Sequence, residues 1–297
     1  MASRYIESLP FVDRLETIPL QGGEIPFELN KLIQFAHDVV LRDHPDEDIR
    51  MGHWVPLYGD KPEVTMPLLY HMFQDLVKRP GYQDRVRPRL LECGSGYGMV
   101  GRVAALAGFE VFNVEIQKDI HDEAKKYDHL LKLRGMIDES APHTIFGNYY
   151  TPEWFEYAAA HFLQHYNLLG DVVDPRNLAM VSYNLGVSKF TQEAIISALK
   201  VLREGTGALA EHSLVTSDGG LDVDVVHIYP SDPMFPHGFL QQMGSILRSG
   251  SMLVTYEKNS QIIKAIEEER FFQCGFTPTT WYMSGKELGY DFLGFQR

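Results

Sequence analysis

Residues 90–101 read LLECGSGYGMVG, an apolar run that gives way to four glycines, Gly94, Gly96, Gly98 and Gly101, within eight residues. Glycine enters left-handed backbone conformations without steric penalty, so such a run marks a sharp turn whose amides stay uncovered by side chains. Set between a strand and a helix, the turn combines those amides with the positive end of the helix and admits a ligand to the main chain. The flanking sequence decides the fold.

From Arg89 onward, short apolar runs alternate with helical patterns. RLLECGS reads as a buried strand, MVGRVAALA as a helix closed by Gly108, and FEVFNVEI as a second strand ending near Glu115. Residues 118–135 form a polar-faced helix, HTIFGNYY a third strand, and Thr151-Pro152 the cap and first turn of the next helix. NLAMVSYN (177–184) reads as a fourth strand, residues 191–205 as a helix, and GALAEHSLV (207–215) as a fifth strand. The rhythm breaks over residues 216–250, where DGGLDVDVVHIYPSDPMFPHGF is rich in Gly, Pro and Asp and reads as an insertion near the active face. A helix over residues 260–275 and two closing strands, PTTWYMS and YDFLGFQR, complete the pattern. The expectation is an α/β domain over residues 85–297, with a doubly wound, mostly parallel, seven-stranded sheet. Residues 1–84 read as a helical N-terminal region, with a loop at 51–62 that carries His53, Trp54 and Tyr58.

Two cofactor classes compete for the glycine turn. Gly96, Gly98 and Gly101 satisfy G-x-G-x-x-G, and Glu115 stands where a dinucleotide's ribose is held, which makes an NAD-dependent oxidoreductase one reading. Glu92 adds a second, because Glu92, Gly94, Gly96 and Gly98 resemble the E/D-x-G-x-G-x-G signature of class I S-adenosylmethionine-dependent methyltransferases. A sulfonium cofactor has no pyrophosphate and carries cationic groups, so carboxylates and carbonyls near the turn suit it. The resemblance covers about residues 85–297 and implies a Rossmann-like sheet whose last strand runs antiparallel.

The resemblance also implies roles for single residues. Glu92 and the three glycines would hold S-adenosyl-L-methionine, Glu115 both ribose hydroxyls, and Asn148 the adenine. Tyr183 and Asn184, at the end of the expected fourth strand, would line the methyl-transfer site, with Tyr183 touching the cofactor and Asn184 the substrate. Independently of the resemblance, alternation along the expected fifth strand turns one of Glu211 and His212 into the sheet and leaves the other free, so His212 is a candidate to take the substrate's proton, with Tyr183 as the next catalytic candidate. The N-terminal region would be a lid or substrate-recognition element, its Trp54 and Tyr58 binding substrate.

Composition narrows the partners. With a formal net charge of -13, the chain repels phosphate backbones and anionic lipid, which argues against nucleic acid and membrane partners. No uninterrupted apolar stretch approaches the roughly 20 residues that span a bilayer, and MASRYIESLPFVDRLE lacks the order of a signal peptide, so a cytoplasmic location is expected. Cys93 and Cys274 are far apart and lack metal-ligand spacing, so no metal is expected. An enclosed site under an aromatic-bearing lid suits a small organic substrate. A protein-directed methyltransferase is a further alternative, and a homodimer is compatible with the chain.

Overall fold

The computed structural model describes residues 6–20, 24–43, 61–79, 82, 86–137, 141–168, 173–184, 189, 191–228, 238–256, 260–285 and 288–297. The strand before the glycine turn, β2 (Arg89–Cys93), lies inside an eight-stranded sheet. On one side it pairs with β3 (Glu110–Glu115), which pairs with β4 (His143–Phe146). On the other it pairs with β5 (Val225–Ile228), followed outward by β6 (Met252–Tyr256), β8 (Phe292–Gln296), β7 (Thr277–Met283) and β1 (Glu16–Pro19). Every pair is parallel except those made by β8, which runs antiparallel between β6 and β7. The antiparallel last strand is the one expected from the closing residues.

Successive residues of each strand feed opposite faces of the sheet. Leu90, Val111, Val225 and Val254 face a core shared with α1 (Phe27–Phe35), α2 (Pro62–Val77), α3 (Met99–Ala107) and α4 (Lys118–Leu133). Leu91, Phe112, Val226 and Leu253 face a second core, built with α5 (Pro152–His165), α7 (Gln192–Glu204), the short α8 (Ala208–Glu211), α9 (Leu240–Ile246) and α10 (Ser260–Glu267). A single turn, α11 (Arg270–Gln273), leads into β7. The sheet is therefore covered on both faces, as a parallel sheet must be.

Three expectations are corrected. NLAMVSYN is not a strand: it belongs to α6 (Pro175–Asn184), because Asp174 accepts the Arg176 amide through its side chain at 2.8 Å and Pro175 starts the helix behind it. GALAEHSLV is not a strand either, since Gly207 in a left-handed conformation (φ 98°) opens α8 and Ser213 (φ 57°) ends the turn that follows it. The fourth parallel strand lies inside the supposed insertion of 216–250, which contributes both β5 and α9. Its aspartates anchor the head of β5: Asp224 accepts the Arg89 amide at 2.7 Å and pairs with Arg248, while Asp222 pairs with the Arg89 guanidinium at 2.7 Å.

The N-terminal region also differs from a purely helical one. β1 pairs in parallel with β7 from Glu16 opposite Thr280 to Pro19 opposite Met283, which makes eight strands instead of seven. Leu29, Leu32 and Phe35 of α1 and Met66, Leu69 and Phe73 of α2 are buried in the same core as β2 and β3, so these helices are part of the sheet's packing.

The first turn of α3 rides directly on β3. A Cβ at Gly101 would lie 2.0 Å from Asn113 Oδ1, so only glycine lets the helix approach that close. Gly101→Ala should therefore destabilise the protein by roughly 1–3 kcal/mol, read as a lower denaturation midpoint. Adding Asn113→Ala to the same chain should restore most of the loss. A Gly101→Ala protein as stable as its parent would show that the helix has room to move.

Candidate functional site

After β2 the chain passes to β3 and β4 on one side, then returns to β5 on the other. The strand order thus reverses between β2 and β5, and in an open α/β sheet ligands bind outside the carboxyl ends of the strands at such a point. The glycine turn occupies that place. Gly94, Gly96 and Gly98 all have left-handed φ, at 71°, 54° and 76°, and Gly98 caps α3. The amides of Gly94 and Ser95 both donate to the Val114 carbonyl at 3.0 Å, which pins the turn against the end of β3.

Glu115, the last residue of β3, locks the turn further. Its Oε2 accepts the Gly96 amide and its Oε1 the Gln117 amide, each at 2.9 Å, and the residue is buried. Each carboxylate oxygen keeps a lone-pair direction beyond those amides, so the group can still accept from ligand hydroxyls. Arg102 of α3 holds the turn from below. It is fully buried, donates to the Tyr97 carbonyl at 2.5 Å and pairs with Asp128 of α4 at 2.8 Å. The surroundings are acidic. Burial first, then the carboxylates of Glu123, Asp119 and Glu115, push the Tyr97 phenol up to about 12.

Glu92 and the glycines therefore stand together at the switch point with Glu115. Glu92 is the penultimate residue of β2 and lies 2.8 Å from His227 Nδ1 of β5. Burial raises its carboxyl above the ordinary glutamate range, and the charge and hydrogen bond of His227 pull it back. Asn148, just beyond β4, is committed to the backbone. Its Oδ1 accepts the Tyr150 amide at 3.1 Å and its Nδ2 donates to the Leu202 carbonyl at 3.2 Å, which is the bonding of a turn-forming asparagine.

Tyr183 and Asn184 lie on α6, so they end no strand of the sheet. Glu211 and His212 are exposed at the end of α8, which removes the strand alternation on which their catalytic reading rested. His53, Trp54 and Tyr58 fall outside the described residues. Two residues at the site went unnoticed in the sequence. Ser95, inside the turn, has a buried Oγ without a hydrogen-bond partner, and its place between two glycines was the available signal. His227 interrupts the apolar run VVHI, and it was hidden by the reading of 216–250 as an insertion.

No model of a protein family matches the chain, and no curated protein is similar to it in sequence. Solved structures of similar fold include magnesium protoporphyrin IX methyltransferase from Synechocystis PCC 6803 with bound SAM, at TM-score 0.43 and 11% identity, covering 93% of this chain and 99% of that one. Ribosomal protein L11 methylase from Lactobacillus delbrueckii subsp. bulgaricus gives a TM-score of 0.40 at 13% identity, over 80% and 81% of the two chains. Precorrin-6y C5,15-methyltransferase from Geobacter metallireducens GS-15 gives 0.35 at 11% identity, over 77% and 86%. Likeness at this level decides nothing about this chain's chemistry.

Burial raises the Glu115 carboxyl above its ordinary range, against the amides of Gln117, Gly96 and Ile116, which lower it. The unfolded chain's glutamate ionises near ~4.3, before the folded one, so stability falls as pH rises from there through the folded value. Glu115→Gln removes that fall. Relative to the parent, the variant should gain stability as pH rises from about 4 through the folded value, measured by chemical denaturation. A variant that instead loses stability relative to the parent as pH rises would mean that the amide bonds outweigh burial.

Proposed function

We propose that the protein is an S-adenosylmethionine-dependent methyltransferase acting on a nucleophilic atom of a small organic molecule. The observation that carries this reading is the Glu115 carboxylate at the end of β3, set against the left-handed Gly94–Gly98 turn at the switch point. Such a carboxylate accepts both hydroxyls of a ribose, while the acidic surroundings disfavour the phosphates of a dinucleotide. The sheet supports the same choice. A dinucleotide-binding sheet of the doubly wound type runs through six strands in the order 3-2-1-4-5-6, whereas here the antiparallel β8 stands between β6 and β7.

The residues present fit the cofactor. A Cβ at Gly94 would meet nothing within 4 Å, so the backbone there is open to a ligand, and Ser95 Oγ is a buried polar atom with no partner among the described residues. Gly94, Ser95, Gly96 and Gly98 would cradle it, Glu115 would hold the ribose, and Glu92 would face its cationic part. When bound, the cofactor supplies a methyl carbon on a cationic sulfur that a nucleophile displaces in line. The chain's own work is to align the two reactants, exclude water and receive a proton where the nucleophile carries one. The transferred methyl group would lie beside the end of β5, the strand that takes the place the sequence reading gave to NLAMVSYN. Trp54, Tyr58 and Asn184 stay as proposed substrate contacts on the sequence alone. A small substrate is favoured by the net charge of -13, which disfavours nucleic acid. No helix among the described residues is long and apolar enough to cross a membrane.

Calorimetric titration with S-adenosylhomocysteine and, separately, NAD tests the reading. Binding of the first and none of the second is expected, and the reverse would make the protein an oxidoreductase. Glu115→Ala should weaken S-adenosylhomocysteine by one to two orders of magnitude, roughly 1.5–3 kcal/mol for hydrogen bonds to a charged acceptor. Gly96→Val should abolish binding while the circular dichroism spectrum persists.

A further inference from the structure

Asn113, Glu92 and His227 are register partners on β3, β2 and β5, and they form a row of three buried polar side chains across the centre of the sheet. All three project to the face covered by α1–α4, where their strand neighbours Leu90, Val111 and Val225 are apolar. Two of the three keep polar atoms without a hydrogen-bond partner: both side-chain atoms of Asn113 and Nε2 of His227. The Asn113 amide is closed off beneath α3, pressed against the positions of Gly98 and Gly101. His227 is different, because it lies across the switch point from the turn, one residue before the end of β5, with the edge of the Phe73 ring of α2 against it at 5.9 Å between centroids.

The hydrogen bond to Glu92 fixes the imidazole. When Nδ1–H donates to an ionised Glu92 carboxylate across the 2.8 Å contact, Nε2 of a neutral ring keeps a lone pair. A buried acceptor left without a donor costs stability, and no donor reaches Nε2 among the described residues. In that state the pair carries one negative charge, and the donor that satisfies both the lone pair and the charge is a cation bearing N–H groups.

We propose that His227 is a ligand-binding residue, whose Nε2 accepts a hydrogen bond from the ammonium group on the amino-acid tail of the bound cofactor. The proposal rests on the S-adenosylmethionine reading. Glu92 is then the residue that orients the imidazole and balances the ammonium charge. No residue of the row transfers a proton in binding.

The test uses two ligands that share the adenosine and the sulfur: S-adenosylhomocysteine, which has the amino-acid tail, and 5′-methylthioadenosine, which lacks it. Asparagine places an amide N–H about where His227 has Nδ1–H, so His227→Asn keeps a donor for Glu92 and deletes Nε2. The variant should bind S-adenosylhomocysteine about tenfold or more weakly, by calorimetry, and 5′-methylthioadenosine as the parent does. Equal losses for both ligands, or no loss for either, would overturn the proposal while leaving the cofactor reading intact. Failure of the unaltered protein to bind either ligand would overturn the cofactor reading itself, and this proposal with it. Should the variant not fold, nitrogen NMR of the ¹⁵N-histidine-labelled parent decides the matter. The His227 Nε2 signal should shift on adding S-adenosylhomocysteine and hold still with 5′-methylthioadenosine, and a shift common to both would contradict the contact.

Discussion

The bond from the Gly96 amide to the Glu115 carboxylate ties the turn after one strand to the end of the next, and the shape of the site depends on it. Without it, a turn with three left-handed glycines has many conformations open to it, because glycine's freedom costs entropy to remove. With it, and with the Val114 carbonyl holding two further amides, the turn has one shape. The helix that follows inherits that shape. Arg102 then fastens the first turn of α3 to Asp128 of α4 and to the Tyr97 carbonyl, so the glycine turn is gripped from the strand side and from the helix side.

This arrangement is costly in the free protein. Glu92, Arg102 and Glu115 are all buried, together with Asn113 and His227. Burial of charge is unfavourable unless each group is paired, and here Arg102 has Asp128, Glu115 has backbone amides, and Glu92 has His227. Among the described residues, the atoms of this group left unpaired are Ser95 Oγ beside the turn, His227 Nε2 across the switch point from it, and the side-chain amide of Asn113 beneath α3. A sheet centre built for stability alone would carry leucine and valine there. Polar groups kept at this expense are what a site that must recognise a cationic, hydroxyl-bearing ligand requires.

The parts that were legible in the sequence share a physical cause. β2, α3, β3 and α4 were readable because apolar runs and glycines fix their boundaries locally: Gly108, with φ 117°, ends α3 where the sequence placed its close. Glu115 was readable because a strand end in this topology faces the site. The misreadings occurred where a short apolar run fits either period and a local cap decides. Asp174-Pro175 turned 177–184 into helix, and Gly207 did the same for 208–211. β5 was lost for the opposite reason. Its flanking Asp222 and Asp224 look like loop residues, yet they are bound to Arg89 and Arg248, partners distant in sequence that no local pattern shows. With β5 went His227, and with the false strands went the strand placement on which the readings of Tyr183 and His212 rested. Likewise β1 owes its place to pairing with β7, some 260 residues further along the chain.

The central claim is that a sulfonium cofactor lies on the glycine turn between the ends of β2, β3 and β5. Amide chemical-shift mapping of the isotope-labelled protein with S-adenosylhomocysteine tests it most directly. The largest changes should fall on the amides of Gly94, Ser95, Gly96 and Gly98 and on Gln117, whose amide shares the Glu115 carboxylate. Changes concentrated elsewhere in the sheet, with the turn unmoved, would contradict it.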